Sequence, residues 1–166
     1  MKMIRHHFVA AHLCLVDRRW ARSCHAIGFL CAFFLICCVA PRVHATVDDS
    51  ISFAYEAALP YYKQGFSIRK DAWGGDLGVR ERKAVSTQLF KGNTYWFLMA
   101  TDLKGATLSV HLYDDRGNLV ENESWQKGRF AGARLNPKAT GTYFAIVQIL
   151  KSPEDRTAWA LVYGYK

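Results

Sequence analysis

Residues 107–125 read Thr-Leu-Ser-Val-His-Leu-Tyr-Asp-Asp-Arg-Gly-Asn-Leu-Val-Glu-Asn-Glu-Ser-Trp, and this stretch decides the fold. Leu108, Val110 and Leu112 alternate with Ser109, His111 and Tyr113, which is the period of a strand with one buried face. Asp114, Asp115, Gly117 and Asn118 are turn formers, and Gly117 can take a positive φ. The chain then returns to an extended run through Leu119–Trp125. The pattern predicts a β-hairpin.

The same grammar runs outward in both directions. Downstream, short strands are expected at 130–135, 141–150 and 157–165, separated by Gly128, Pro137 and Pro153. Upstream, strands are expected at 66–73, 84–90 and 94–101. Gly74, Gly75 and Gly78 are read as a loop, and Arg80-Glu81-Arg82-Lys83 as a solvated connection. The run 94–101 is apolar on both faces, so a second layer must cover it. Roughly eight short strands without intervening helices predict an all-β antiparallel sandwich, jelly-roll-like in winding.

One helix precedes the sandwich. Asp48, Asp49 and Ser50 supply capping and negative charge at its start, and Ile51, Ala54, Tyr55, Ala58, Leu59 and Tyr62 follow at helical spacing. Pro60 is expected to stop it near Ala58, after about ten residues. Residues 46–65 are therefore read as a helical N-terminal segment and 66–166 as the β-sandwich domain.

Residues 26–40 are uninterrupted by charge and too short for a membrane span, but they suit the core of a secretory signal. Lys2, Arg5, Arg18, Arg19 and Arg22 precede them. Pro41 and then Val43-His44-Ala45 follow, so residues 1–45 read as a signal peptide cleaved after Ala45. The competing reading is an uncleaved anchor. The context of Arg18-Arg19 fits twin-arginine export poorly. Cys37 lacks the small upstream residue of a lipid-anchor site. Export implies a periplasmic or extracellular protein.

Cleavage changes the composition. All five cysteines precede Ala45, leaving no disulfide framework and no thiolate metal site in residues 46–166. Those residues carry sixteen Lys or Arg against thirteen Asp or Glu, a charge of +3 rather than the +8 of the whole chain. The basic footprint that nucleic-acid binding needs is then gone.

Several runs together resemble the bacterial pre-peptidase C-terminal domain. They are the turn Lys91-Gly92-Asn93-Thr94-Tyr95 before an aromatic strand, Leu108–Asp114 with Gly117 in its turn, and Pro137–Tyr143 leading to Ile146-Val147. The last is Trp159–Tyr163. The resemblance covers roughly residues 84–165. It implies a jelly-roll-like sandwich in an exported protein, acting in secretion or substrate binding without catalytic residues. In that family the module usually trails a secreted enzyme, whereas here a short helical segment stands in that place.

The chemistry-bearing residues are few. His111 is the only histidine after Ala45, on one strand face with Ser109 and Tyr113, and no acid is placed beside it by spacing. One histidine and no cysteine argue against zinc. Glu121 and Glu123 read as neighbours on one strand face, the wrong arrangement for paired glycosidase carboxylates. Asp114, Asp115 and Asn118 are a weak calcium candidate, since turns use the same residues. Asn122-Glu123-Ser124 is a formal glycosylation sequon.

Aromatics and charge offer more. Of Trp73, Trp96, Trp125 and Trp159, the strand-end pair Trp73 and Trp125 are candidates for a glycan platform. Lys127, Arg129 and Arg134, interleaved with Trp125 and Phe130, could meet an anionic envelope surface, or could simply protect a solvated edge. The leading expectation is an exported, non-catalytic binding module with a glycan, an anionic surface or an exported protein as partner. The alternative is a carbohydrate-binding module using surface aromatics. No cofactor is expected.

Overall fold

In the computed structural model residues 46–166 are described; the expected signal peptide and its cleavage site fall outside the described residues. The chain forms one helix, α1 (Val47–Lys63), then β1 (Ser67–Gly78), β2 (Arg82–Leu89), β3 (Tyr95–Ala100) and β4 (Thr107–Tyr113). β5 (Glu123–Lys127), β6 (Phe130–Leu135), β7 (Gly141–Lys151) and β8 (Arg156–Tyr165) complete it. Pairing is antiparallel throughout. A five-stranded sheet in the order β1-β8-β3-β6-β5 faces a three-stranded sheet in the order β2-β7-β4. The expected all-β sandwich with one helix is the fold observed.

Its winding is nested. β1 pairs with β8, β2 with β7 and β3 with β6, which is the pairing of a jelly roll. The innermost pair of such a roll, β4 with β5, is missing. The expected hairpin over residues 107–125 therefore needs correction. The turn forms, with Gly117 at φ 81°, but only one bridge, Tyr113 to Leu119, follows it. Val120 packs against the core and its N–H reaches the Leu112 carbonyl. The chain then crosses to the other sheet, where β5 pairs with β6. Val120, partly buried against the core, and Glu121, bonded to the Leu112 N–H, mark the point where the chain leaves the three-stranded sheet.

The core lies between the sheets. Phe97 and Met99 of β3, Leu108, Val110 and Leu112 of β4, Val147 and Ile149 of β7 and Leu161 of β8 are buried there. The other phase of β3, Trp96, Leu98 and Ala100, faces outward and is covered by α1, as its two apolar faces required. The helix approaches through a stripe of small residues, Ser50, Ala54 and Ala58, all buried. Glycines of β1 and β8 permit close packing. A side chain at Gly74 would meet Val47 Cγ1 at 2.5 Å, and one at Gly164 would meet Ile68 Cδ1 at the same distance.

Two further expectations are corrected. α1 runs to Lys63, through Pro60 rather than stopping before it. Pro60 and Glu56 are both exposed, so the Glu56 carbonyl that lacks its usual donor is open to water. Tyr61, whose ring centroid lies 4.5 Å from that of Trp96, holds the last turn in place. β1 continues through Gly74, Gly75 and Gly78, which were read as a loop; Gly74 and Gly75 are packing glycines against Val47 of α1 and Trp159, and only Gly78, the last residue of β1, opens a turn, its carbonyl accepting the Glu81 N–H at 3.1 Å. Arg82 and Lys83 likewise belong to β2.

Candidate functional site

The two outer faces of the sandwich differ. That of the five-stranded sheet is covered by α1, which packs on β8, β3 and β1. That of the three-stranded sheet has no covering element among the described residues. Alternation along β2, β7 and β4 puts three cross-strand rows on it: Ser86–Phe144–Tyr113, Ala84–Ile146–His111 and Arg82–Gln148–Ser109. Phe144, Ile146 and Tyr113 are half-buried. Arg82, Ala84, Tyr113, Asp114, Asp115, Phe144 and Ile146 line an open depression of about 600 Å³.

The polar groups of this face are fixed by one another. Arg82 Nε donates to Gln148 Oε1 at 3.2 Å, and Gln148 Nε2 donates to the Arg80 carbonyl at 3.3 Å. Glu121 sits at the open edge of β4, where its Oε2 accepts the Leu112 N–H at 2.9 Å and its Oε1 lies 3.0 Å from His111 Nδ1. The Glu121 side chain is 9% exposed and that of His111 43%. An acid therefore does stand beside His111, contrary to the sequence reading. The crossover places it there, and strand spacing could not show it. Glu121 is accordingly not on one strand face with Glu123, which begins β5. Ser109 Oγ is buried and has no hydrogen-bond partner, so serine and histidine are not in nucleophile–base contact.

The other candidates sit elsewhere. Trp73 is on the inner face of β1, stacked on Tyr163 at 5.5 Å between centroids. Trp125 is on the opposite, outer face of the five-stranded sheet, over Gly132, with Nε1 donating to Tyr61 Oη at 3.0 Å. The two tryptophans do not share a surface. Arg129 lies over the Phe53 ring at 3.7 Å and donates to the Asp102 carbonyl. Phe130 meets Phe53 edge-on. Arg134 reaches Glu123 at 3.4 Å, with its guanidinium 6.0 Å from the Trp96 ring centroid. Trp125, Arg129 and Phe130 seat α1; Lys127 alone of the basic trio is exposed.

At the 114–118 turn, Asp114 Oδ1 accepts the N–H groups of Arg116 and Asn118, and its Oδ2 accepts Asn118 Nδ2. The Asn118 side chain, and then the backbone N–H groups, hold the Asp114 carboxyl below the usual carboxylate range. Asp115 is exposed. Among the described residues no group of three or more His, Cys, Asp or Glu is arranged to hold a metal. No helix among them is long and apolar enough to cross a membrane.

Sequence reasoning missed Tyr113, Phe144, Ile146 and Arg82. The signal was present in β7, where Phe144, Ile146 and Leu150 form an apolar phase opposite the core phase Tyr143, Ala145, Val147 and Ile149. Comparison with protein-family models and with curated proteins finds no match to the chain.

Proposed function

We propose that residues 46–166 are an exported, non-catalytic binding module whose ligand is a glycan held on the outer face of the three-stranded sheet. The observation that carries the reading is the directly paired Tyr113 and Phe144 on a face that no described element covers, with Arg82 and the Asp114–Asp115 turn at the rim of one depression. A sugar ring has an apolar C–H face and a rim of hydroxyls. Aromatic rings serve the first, while fixed planar donors and carboxylates serve the second. The depression, at about 600 Å³, lies in the ordinary range for small-ligand sites. The resemblance over residues 84–165 supports the same reading, because such modules act by binding. Binding is favoured over hydrolysis because the Ser109 hydroxyl makes no hydrogen bond with the His111–Glu121 pair.

The test is a glycan array probed with the processed protein, followed by calorimetry on any hit. Tyr113→Ala and Phe144→Ala are expected to remove binding without unfolding the domain, since both side chains are outside the core. Absence of any glycan signal, or a signal unchanged by both substitutions, overturns the reading.

A further inference from the structure

The outer face of the three-stranded sheet carries a second hollow beside the first. It measures about 230 Å³ and is walled by Arg82, Ser109, His111, Tyr113, Ile146 and Gln148. Arg82, Tyr113 and Ile146 border both spaces. Along β7, Phe144 stands in the row of Tyr113, and Gln148 in the row of Arg82 and Ser109. Four residues of strand separate these rows, a span of about 13 Å. A single sugar ring seated on Tyr113 and Phe144 does not fill that length.

The two ends of this surface differ in charge. Asp114 and Asp115 border the first depression at the Tyr113 end. Arg82 is the only Lys or Arg that borders either space. It is exposed, and no carboxylate pairs with it among the described residues. Its neighbour Glu81 is turned to Arg156, at 3.0 Å. Gln148 Oε1 accepts from Arg82 Nε, and Gln148 is itself held by the Arg80 carbonyl. The guanidinium is therefore oriented while both of its Nη groups keep their donors. Such a pair of donors matches the two oxygens of a carboxylate.

The other walls of the hollow also have hydrogen-bonding capacity to spare. His111 Nδ1 lies 3.0 Å from Glu121 Oε1. An ionised carboxylate only accepts, so Nδ1 carries the hydrogen and Nε2 keeps a lone pair for a hydroxyl. The Ser109 side chain is 9% exposed and its Oγ has no partner. A buried hydroxyl left unpaired is costly. It is closed off from water as it stands, and gains a partner when a ligand in the hollow draws it round its Cα–Cβ bond.

We propose that the ligand is an acidic oligosaccharide of at least two units laid along the strands: a neutral sugar stacks on Tyr113 and Phe144, and the next sugar brings a carboxylate to Arg82. The inference deepens the glycan reading above and rests on it. Asp114 and Asp115 set the direction. Asp114 is bonded into its own turn and Asp115 is exposed, so a second carboxylate at the Tyr113 end would meet like charge there. The favoured chain alternates acidic and neutral sugars, and a uniformly acidic one fits less well.

The experiment is an array of neutral, uniformly uronic and alternating uronic–neutral oligosaccharides, probed with the processed protein. The strongest acidic hit is then titrated by calorimetry beside its carboxyl-reduced form and its acidic monosaccharide. Binding is expected to be strongest in the alternating set. Carboxyl reduction should weaken it by about tenfold or more, the factor carried by one charge-assisted hydrogen bond. Arg82→Gln should show a similar loss with the intact glycan and should no longer distinguish it from the reduced form. Neutral glycans bound as tightly as acidic ones, or an equal effect of carboxyl reduction on parent and variant, overturn this inference and leave the glycan reading standing. A monosaccharide that binds as tightly as the oligosaccharide overturns the two-unit span, and a preference for uniformly uronic chains overturns the direction. No glycan bound at all ends both readings.

Discussion

The indole of Trp125 lies across the bare backbone of Gly132, with its Nε1 3.0 Å from the Tyr61 hydroxyl. One contact therefore ties β5, β6 and the last turn of α1 together. A Cβ at position 132 would fall 2.6 Å from the ring. Gly132→Ala must displace Trp125 and strip Tyr61 of its donor. Overpacking of this kind costs about 1–3 kcal/mol. A thermal melt of the purified variant checks it; an unchanged midpoint would show that the indole moves aside freely.

Gly117 tests the turn rather than the packing. Its φ is 81°, and nothing lies within 4 Å of where a Cβ would be. Gly117→Val should therefore cost about 1–2 kcal/mol from the backbone conformation alone. Gly117→Asn should cost less, because Asn tolerates that region. Equal melting temperatures for all three proteins would contradict the assignment.

The turn also carries a pH signature. Asp114 is held below the usual carboxylate range by Asn118 and the turn N–H groups. A depressed folded-state pKa contributes stability above the ordinary Asp value of about 3.9, and that contribution is lost as pH falls through the depressed value. Asp114→Ala should melt lower than the parent at neutral pH, and the two should converge as pH falls below the usual carboxylate range. A gap that stays constant into strong acid would mean the carboxylate charge is not what holds the turn.

Much of this fold could be read from the chain, because alternation is local. Leu108, Val110 and Leu112 announced their strand, and the doubly apolar β3 announced that something must cover it. What failed depended on distant partners. Gly74 and Gly75 look like a loop until Val47 and Trp159 are seen against them. Leu119–Trp125 looks like the return arm of a hairpin until Val120 turns inward. The candidate site suffered most, since glycan platforms were sought at tryptophans, and both candidates are occupied in packing. Tyr113 and Phe144 are sequence-distant and meet only through the β4–β7 register.

The crossover hangs on Glu121. Its Oε2 is the acceptor for the Leu112 N–H at an otherwise open edge, and its Oε1 pairs with His111. Glu121→Ala should leave that N–H without its acceptor, at about 1–3 kcal/mol. Glu121→Gln keeps an acceptor oxygen and should recover most of the loss. Hydrogen exchange at the Leu112 amide is the specific readout. Fast exchange in the alanine variant and slow exchange in the glutamine variant are expected; equal rates would remove Glu121 from this role.

The last prediction separates two roles for the basic residues 127, 129 and 134. In sequence they read as one patch for an anionic surface. In the folded domain Arg129 bridges Phe53 of α1 and the Asp102 carbonyl, whereas Lys127 is exposed. Arg129→Ser removes a cation–π contact and a hydrogen bond at the helix seat, together worth about 1 kcal/mol or somewhat more. Its melting temperature should fall by a few degrees. Lys127→Ser should leave the melt unchanged. Association with anionic vesicles is expected to be absent at physiological salt. Arg134 is partly matched by Glu123, and a lone exposed lysine is screened within about 8 Å. Salt-sensitive co-sedimentation that is lost with Lys127→Ser would return the patch to a binding role. A fall in melting temperature equal for both substitutions would show that Arg129 does not seat the helix.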